Sequence, residues 1–282
     1  MRVSDEILKC VGFVSKGENI FDYRGTAFIV SVPHDENTGC LHLVTAKHVA
    51  LAIPAGEACI AVNAKDGLPR WMKQGDTPWF FHPTDPSVDV AVLPMASGMI
   101  HAYDARDVSV QMFATKEVIA EEKIGLGDEL VNVGLFRPFS GSSGLLEPIV
   151  RTGNVAMMPK SRIPSDMFGS LEGYLAEGRS IGGLSGSPVF VRSTVNMDVQ
   201  NYLGEPAKMS GLGPMRLLGL IHGHWDAPGD FEKEVQKPVN MGVSIIVPAD
   251  KILEVLYSPE LCAVRDEAFK RWAPGFVKDP TP

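Results

Sequence analysis

Gly183-Leu184-Ser185-Gly186-Ser187-Pro188-Val189-Phe190 is the stretch on which the reading of this chain turns. A serine is flanked by Gly183 and Gly186, a proline follows, and a short apolar run begins. Glycine at 183 permits positive φ, a geometry in which its N–H and that of Ser185 can point at one spot. Convergent N–H donors beside a serine hydroxyl stabilise the charge that develops during acyl transfer. Gly/Ser-rich turns are common, so the weight of this octet depends on what else the chain carries.

Two upstream segments supply it. Leu43-Val44-Thr45-Ala46-Lys47-His48-Val49 reads as a strand running into a turn that presents a single histidine. Val88-Asp89-Val90-Ala91-Val92-Leu93 sets an aspartate at the head of a β-branched apolar run, where a partly buried acid can accept a bond from that histidine. In the order His48, Asp89, Ser185, these are the parts of a triad in which the acid fixes the imidazole tautomer and the base activates the hydroxyl. Each part has a bland reading alone: a partly buried polar residue, a turn residue, a loop serine. Their joint order and contexts favour catalysis.

On these residues the chain resembles the trypsin-like (chymotrypsin-fold) serine peptidases, in the style of the bacterial branch with glutamyl endopeptidases and the Htr/Deg proteases. The matching stretches are Gly25-Thr26-Ala27-Phe28-Ile29-Val30, Thr45-Ala46-Lys47-His48-Val49, Asp89-Val90-Ala91-Val92-Leu93 and Gly183-Leu184-Ser185-Gly186-Ser187-Pro188. Weaker matches are 127–134, 151–155 and Leu217-Leu218-Gly219-Leu220-Ile221-His222, so the likeness spans roughly residues 20 to 257. It implies His48 as general base, Asp89 as its orienting acid, Ser185 as nucleophile, and the Gly183 and Ser185 amides as oxyanion hole. It also implies no cofactor or metal, and a protein or peptide substrate. Zymogen-type members carry an acid just before the nucleophile to pair with a cut N-terminus. Leu184 stands there instead, so activation by that ion pair is not expected.

Composition agrees with such a fold. The 282 residues are 45% hydrophobic and contain 28 glycines and 21 prolines. Apolar runs recur at 26–31, 41–45, 57–63, 88–94, 129–136, 148–157, 187–193, 216–223 and 241–247. Short strands at this spacing predict an all-β protein rather than βα units. With the resemblance, the expected architecture is two six-stranded antiparallel barrels, residues 1–115 and 116–258. The first carries His48 and Asp89, the second Ser185 and the primary pocket. The apolar stripe of Pro248 to Tyr257 predicts a closing helix, and 259–282 reads as a tail packed on the surface or frayed.

Cys10, Cys40, Cys59 and Cys262 match neither a zinc set nor a disulfide framework and read as free thiols. The N-terminus carries acids where a signal peptide needs an apolar core, and no run is long enough to span a bilayer. A cytoplasmic location is expected, and with it an activity that is narrow or triggered by a protein partner. The net charge of −8 and pI of about 5.4, with no basic cluster, exclude a phosphate-binding surface and hence nucleic-acid binding.

The pocket reading rests on Ile221-His222-Gly223-His224-Trp225, the strand expected to line it. Glutamyl endopeptidases carry a pocket histidine on this strand, and His222 lies one place beyond it, which turns a side chain to the other face. His222 thus has three readings: pocket lining for an acidic substrate, support for Asp89, or a zinc ligand with His224. Arg179 is either a pocket-floor cation or a surface residue. The segments 138–146 and 196–213 read as loops that either rim the cleft or are plain connections. The competing function is a catalytically silent trypsin-like scaffold that binds proteins.

Overall fold

Turn residues cut the apolar runs into strands of one half-molecule, then of a second. The structure, a computed structural model, describes residues 3–34, 38–95, 99–141, 145–178, 182–200, 205–227 and 239–272. The first half holds β1 (Val11–Lys16), β2 (Tyr23–Pro33), β3 (Gly39–Thr45), β4 (Ala58–Asn63), β5 (Pro69–Lys73), β6 (Phe80–Phe81), β7 (Ala91–Pro94) and β8 (Val108–Ser109). The helix α1 (Lys47–Leu51) follows β3 directly. The second half holds β9 (Glu129–Gly134), β10 (Ile149–Met157), β11 (Ile163–Ser165), β12 (Gly169–Leu171), β13 (Tyr174–Glu177), β14 (Pro188–Gln200), β15 (Pro206–Ala227) and β16 (Val239–Pro248).

The second half closes as expected, a barrel of six strands in the order β10-β13-β16-β15-β14-β9. The first half departs from the six-strand expectation. It is an eight-stranded sheet in the order β5-β4-β1-β2-β3-β7-β6, with the short β8 paired parallel to β2. Strands β1, β5, β6 and β8 escaped the sequence reading; β5, β6 and β8 are short or polar, and pairing with neighbours stabilises them. Only Ala91–Pro94 of the 88–94 run joins the ladder. Asp89 lies ahead of it, held by its side chain instead of by strand pairing.

Between the halves the chain crosses at Phe113 and Ala114, where the Ala114 N–H donates to the Leu217 carbonyl at 2.8 Å. A helix, α2 (Lys116–Glu121), follows, capped by Thr115 Oγ1 accepting from the Val118 N–H. One apolar cluster runs through both halves, joining Ala27, Phe28 and Val44 to Phe190, Leu217 and Val247. The halves therefore share this cluster, while Leu130, Val155, Val189 and Ile246 belong to a separate one within the second half.

Two segments expected as loops or tail are ordered elements. Residues 196–200 extend β14 and 206–213 belong to β15, Thr194 pairing with Leu212 and Gln200 with Pro206, while 201–204 lie outside the described residues. After α3 (Ala249–Leu256), which matches the predicted closing helix, a further helix α4 spans Pro259–Trp272. It docks through fully buried Leu261, the Arg265 Nη1 bond to the Leu256 carbonyl, and Phe269 stacked on His34 with ring centroids 3.7 Å apart. Within 138–146, Leu146 is pinned to the first half by paired bonds with the Asn63 amide, and 142–144 lie outside the described residues. All four cysteines are free thiols. Among the described residues no helix is long and apolar enough to cross a membrane.

His42 on β3 is fully buried, and burial, with the Arg265 cation nearby, pushes its imidazole down to about 4 from 6.5. The unfolded chain therefore binds a proton more readily than the folded one throughout that interval. Stability is full above about pH 6.5 and falls as pH drops toward 4, by on the order of 3 kcal/mol from this group. Denaturant melts at stepped pH should show that slope in the wild type and a flatter one in His42→Leu. Equal slopes would show that His42 does not drive the loss.

Candidate active site

The nucleophile loop is built across the junction of the halves. Gly183 at φ +107° and Gly186 at φ +82° turn the chain sharply on either side of Ser185. Thr26 of β2 holds this turn from the other half. Its N–H donates to the Ser185 carbonyl at 2.9 Å, and its Oγ1 donates to the Gly183 carbonyl at 2.9 Å while accepting from the Leu135 N–H. Thr45 Oγ1 donates to the Thr26 carbonyl at 2.7 Å, extending the clamp to β3. Leu184, where zymogen-type members carry an acid, is fully buried. Among the described residues neither the Gly183 nor the Ser185 amide donates to a protein acceptor.

His48 sits in the first turn of α1, and Asp89 reaches it from the segment before β7. The Asp89 carboxylate is wholly buried. Its Oδ1 accepts the His48 backbone N–H at 2.9 Å, and its Oδ2 meets His48 Nδ1 at 2.7 Å. A third donor arrives from β15: His222 Nδ1 lies 2.5 Å from the same Oδ2. Burial would raise this carboxyl, but the bonds from His222 and His48 outweigh it and hold the group well below the usual carboxylate range. An ionised acid accepts only, so His48 carries its proton on Nδ1 and leaves Nε2 as the free base.

Ser185 lies beside this pair without being bonded to the base. Its Oγ donates to the His222 carbonyl at 3.3 Å, and among the described residues no hydrogen bond joins it to His48. In serine hydrolases such bonds often form or tighten only when substrate binds.

The structure corrects one pocket expectation. A groove of about 310 Å³ opens at Ser185, lined by His222, Gly223 and His224 of β15 and by Ser165 and Asp166 of the β11–β12 hairpin. The predicted lining residues are in place, but the His222 ring is engaged at both nitrogens, Nδ1 by Asp89 and Nε2 by Ser165 Oγ at 3.2 Å. The ring thus lines the groove with both nitrogens already partnered within the protein. Arg179, the other candidate, lies outside the described residues.

The hairpin escaped the sequence reading, which had no signal for its long-range partners. Arg162 at its base donates to the side chains of Asp85 and Ser87 and to the Ser170 carbonyl, fastening the hairpin to the loop that leads into Asp89. Phe168 at its turn faces both His222 and Lys47.

His48, Asp89 and His222 lie close enough to share a metal ion. Their Nδ1–Oδ2 separations of 2.7 and 2.5 Å, however, are those of direct charge-assisted hydrogen bonds. Ligand atoms about 2.1 Å from a tetrahedral zinc stand roughly 3.4 Å apart. The donor set as folded fits protons better than a cation.

No family model matches the chain, and no curated protein matches it. Among solved structures, Deg5 is similar at 16% identity over 88% of this chain and 87% of its own, with a TM-score of 0.47. A mutant of human heparin binding protein is similar at 10% identity over 100% of this chain and 97% of its own, with a TM-score of 0.46. These values describe a likeness of outline, and the site assignment rests on the geometry of this chain alone.

A Cβ on Gly186 would lie 2.2 Å from the Thr26 carbonyl oxygen and 2.4 Å from Thr45 Oγ1. Gly186→Ala should therefore cost more than about 2 kcal/mol and displace the nucleophile. Gly17, with φ +63° and open space around it, is the control. Gly17→Ala carries only the backbone cost of about 1 to 2 kcal/mol. Paired denaturant melts test this, and equal losses would refute the clamp.

Proposed function

We propose that this protein is a serine endopeptidase working through an acyl-enzyme intermediate. The observation that carries the reading is the 2.7 Å contact of His48 Nδ1 with the buried, ionised Asp89. It fixes the tautomer in which His48 Nε2 is a base, next to a serine with two unengaged amides.

In this reading His48 Nε2 takes the Ser185 Oγ proton as Oγ attacks the scissile carbonyl carbon. The carbonyl electron pair moves onto oxygen, which the Gly183 and Ser185 amides receive. Collapse re-forms the carbonyl and expels the amine, which leaves with the proton from His48. Water then repeats the sequence on the acyl-enzyme with His48 again as base, releasing acid and free Ser185. Asp89 offsets the imidazolium charge in both halves and stays ionised throughout.

The Ser185 bond to the His222 carbonyl favours a restricted form of this activity. The hydroxyl rests off the base, which fits an enzyme that completes its triad when substrate or a regulatory protein fills the groove. The same observation supports a second reading, a silent scaffold that binds proteins through the groove.

A fluorophosphonate probe followed by peptide mass spectrometry separates the two. The expected result is one adduct, on Ser185, absent from Ser185→Ala, with peptide hydrolysis reduced about a million-fold in that variant. Asp89→Asn should lose about ten-thousand-fold in kcat through the wrong His48 tautomer. Folded protein that takes no adduct, alone or with candidate substrates, would leave the scaffold reading standing.

A further inference from the structure

Asp89 serves two imidazoles, and only one of them has a place in the triad. His222 is buried, 3% exposed, and lies edge-on to the His48 ring with centroids 5.7 Å apart. Its Nδ1 faces the same carboxylate oxygen that orients His48, at 2.5 Å. Because an ionised carboxylate cannot donate, the proton of that bond belongs to His222 Nδ1. The other ring nitrogen, Nε2, meets the Ser165 hydroxyl at 3.2 Å. An unbroken line of hydrogen bonds thus runs from Ser165 on the groove wall through His222 and Asp89 to His48. The same residue holds Ser185 through its backbone carbonyl, so β15 touches both the acid and the nucleophile.

Without His222, Asp89 Oδ2 would keep the His48 ring as its one partner and could swing about its Cβ–Cγ bond. Two donors converging on one oxygen, from α1 and from β15, restrain it, and Oδ1 is restrained by the His48 backbone N–H. We propose that His222 is a positioning residue: its Nδ1–H locks the Asp89 carboxylate in the orientation that sets the His48 tautomer. Ser165 sets the tautomer of His222 in turn. This deepens the hydrolase reading and rests on it.

The line carries a spectroscopic signature that simple packing would not. In the full chain labelled with 15N-histidine, two low-field ring protons are expected, each coupled to an Nδ1, one from His48 and one from His222. His222→Phe should remove one and shift the other, lowering kcat about 100-fold, the scale of a slightly misplaced catalytic group, with KM nearly unchanged. His222→Asn presents an amide N–H to the same oxygen and should recover most of that kcat. Ser165→Ala should keep both signals and lose less activity than His222→Phe.

If His222→Phe does not fold, the wild-type spectrum still decides. A His222 Nδ1 without a proton at neutral pH overturns the proposal, as does an asparagine variant no better than phenylalanine. An adduct on Ser185 together with a bare His222 Nδ1 overturns the positioning role alone. Folded protein with no adduct on Ser185 overturns the hydrolase reading and this role with it.

Discussion

A buried, ionised carboxylate is the constraint around which this molecule is arranged. Asp89 has no contact with water, and a bare carboxylate in such a place would cost several kcal/mol. Three N–H donors offset that cost: the His48 backbone, the His48 ring and the His222 ring. They come from α1 and from β15, 41 and 133 residues away in sequence. Removing any one leaves a charge under-satisfied, so the fold and the site are stabilised by the same bonds.

That constraint acts together with a second one at the nucleophile. A serine between two glycines in left-handed conformations has little intrinsic preference for a single shape. Thr26 supplies the preference from the opposite half, bonding the carbonyls of both Gly183 and Ser185. Those two carbonyls face Thr26, and the amides of the same residues are left unengaged. The state of those amides is thus set by where the carbonyls are bound. Because the threonine is fully buried in the shared core, this geometry is set by packing between the halves.

The β11–β12 hairpin closes the arrangement. It belongs to the second half by sequence, yet Arg162 ties it to Asp85 and Ser87 of the first. Its Ser165 contacts the ring of His222, and its Phe168 covers that ring and Lys47. The groove wall and the acid of the site are therefore one connected structure. A ligand in the groove meets residues that are two bonds from the base.

The sequence by itself determined a good deal. The octet at 183–190, the single histidine at the end of a strand-like run and the aspartate ahead of an apolar run marked Ser185, His48 and Asp89. Apolar alternation marked nine of the strands and the closing helix, since burial imposes a local period that composition carries openly. What the tertiary structure alone decided is every relation between residues distant in the chain. It turned the Nδ1 edge of His222 onto Asp89 and set Thr26 as the clamp on the Ser185 turn. It brought Arg162 across the junction, formed a helix over 259–272 and carried 196–200 and 206–213 into paired strands. Side-chain hydrogen bonds have no sequence period, and short strands gain their stability from neighbours. Such features become visible only when the partner is in place.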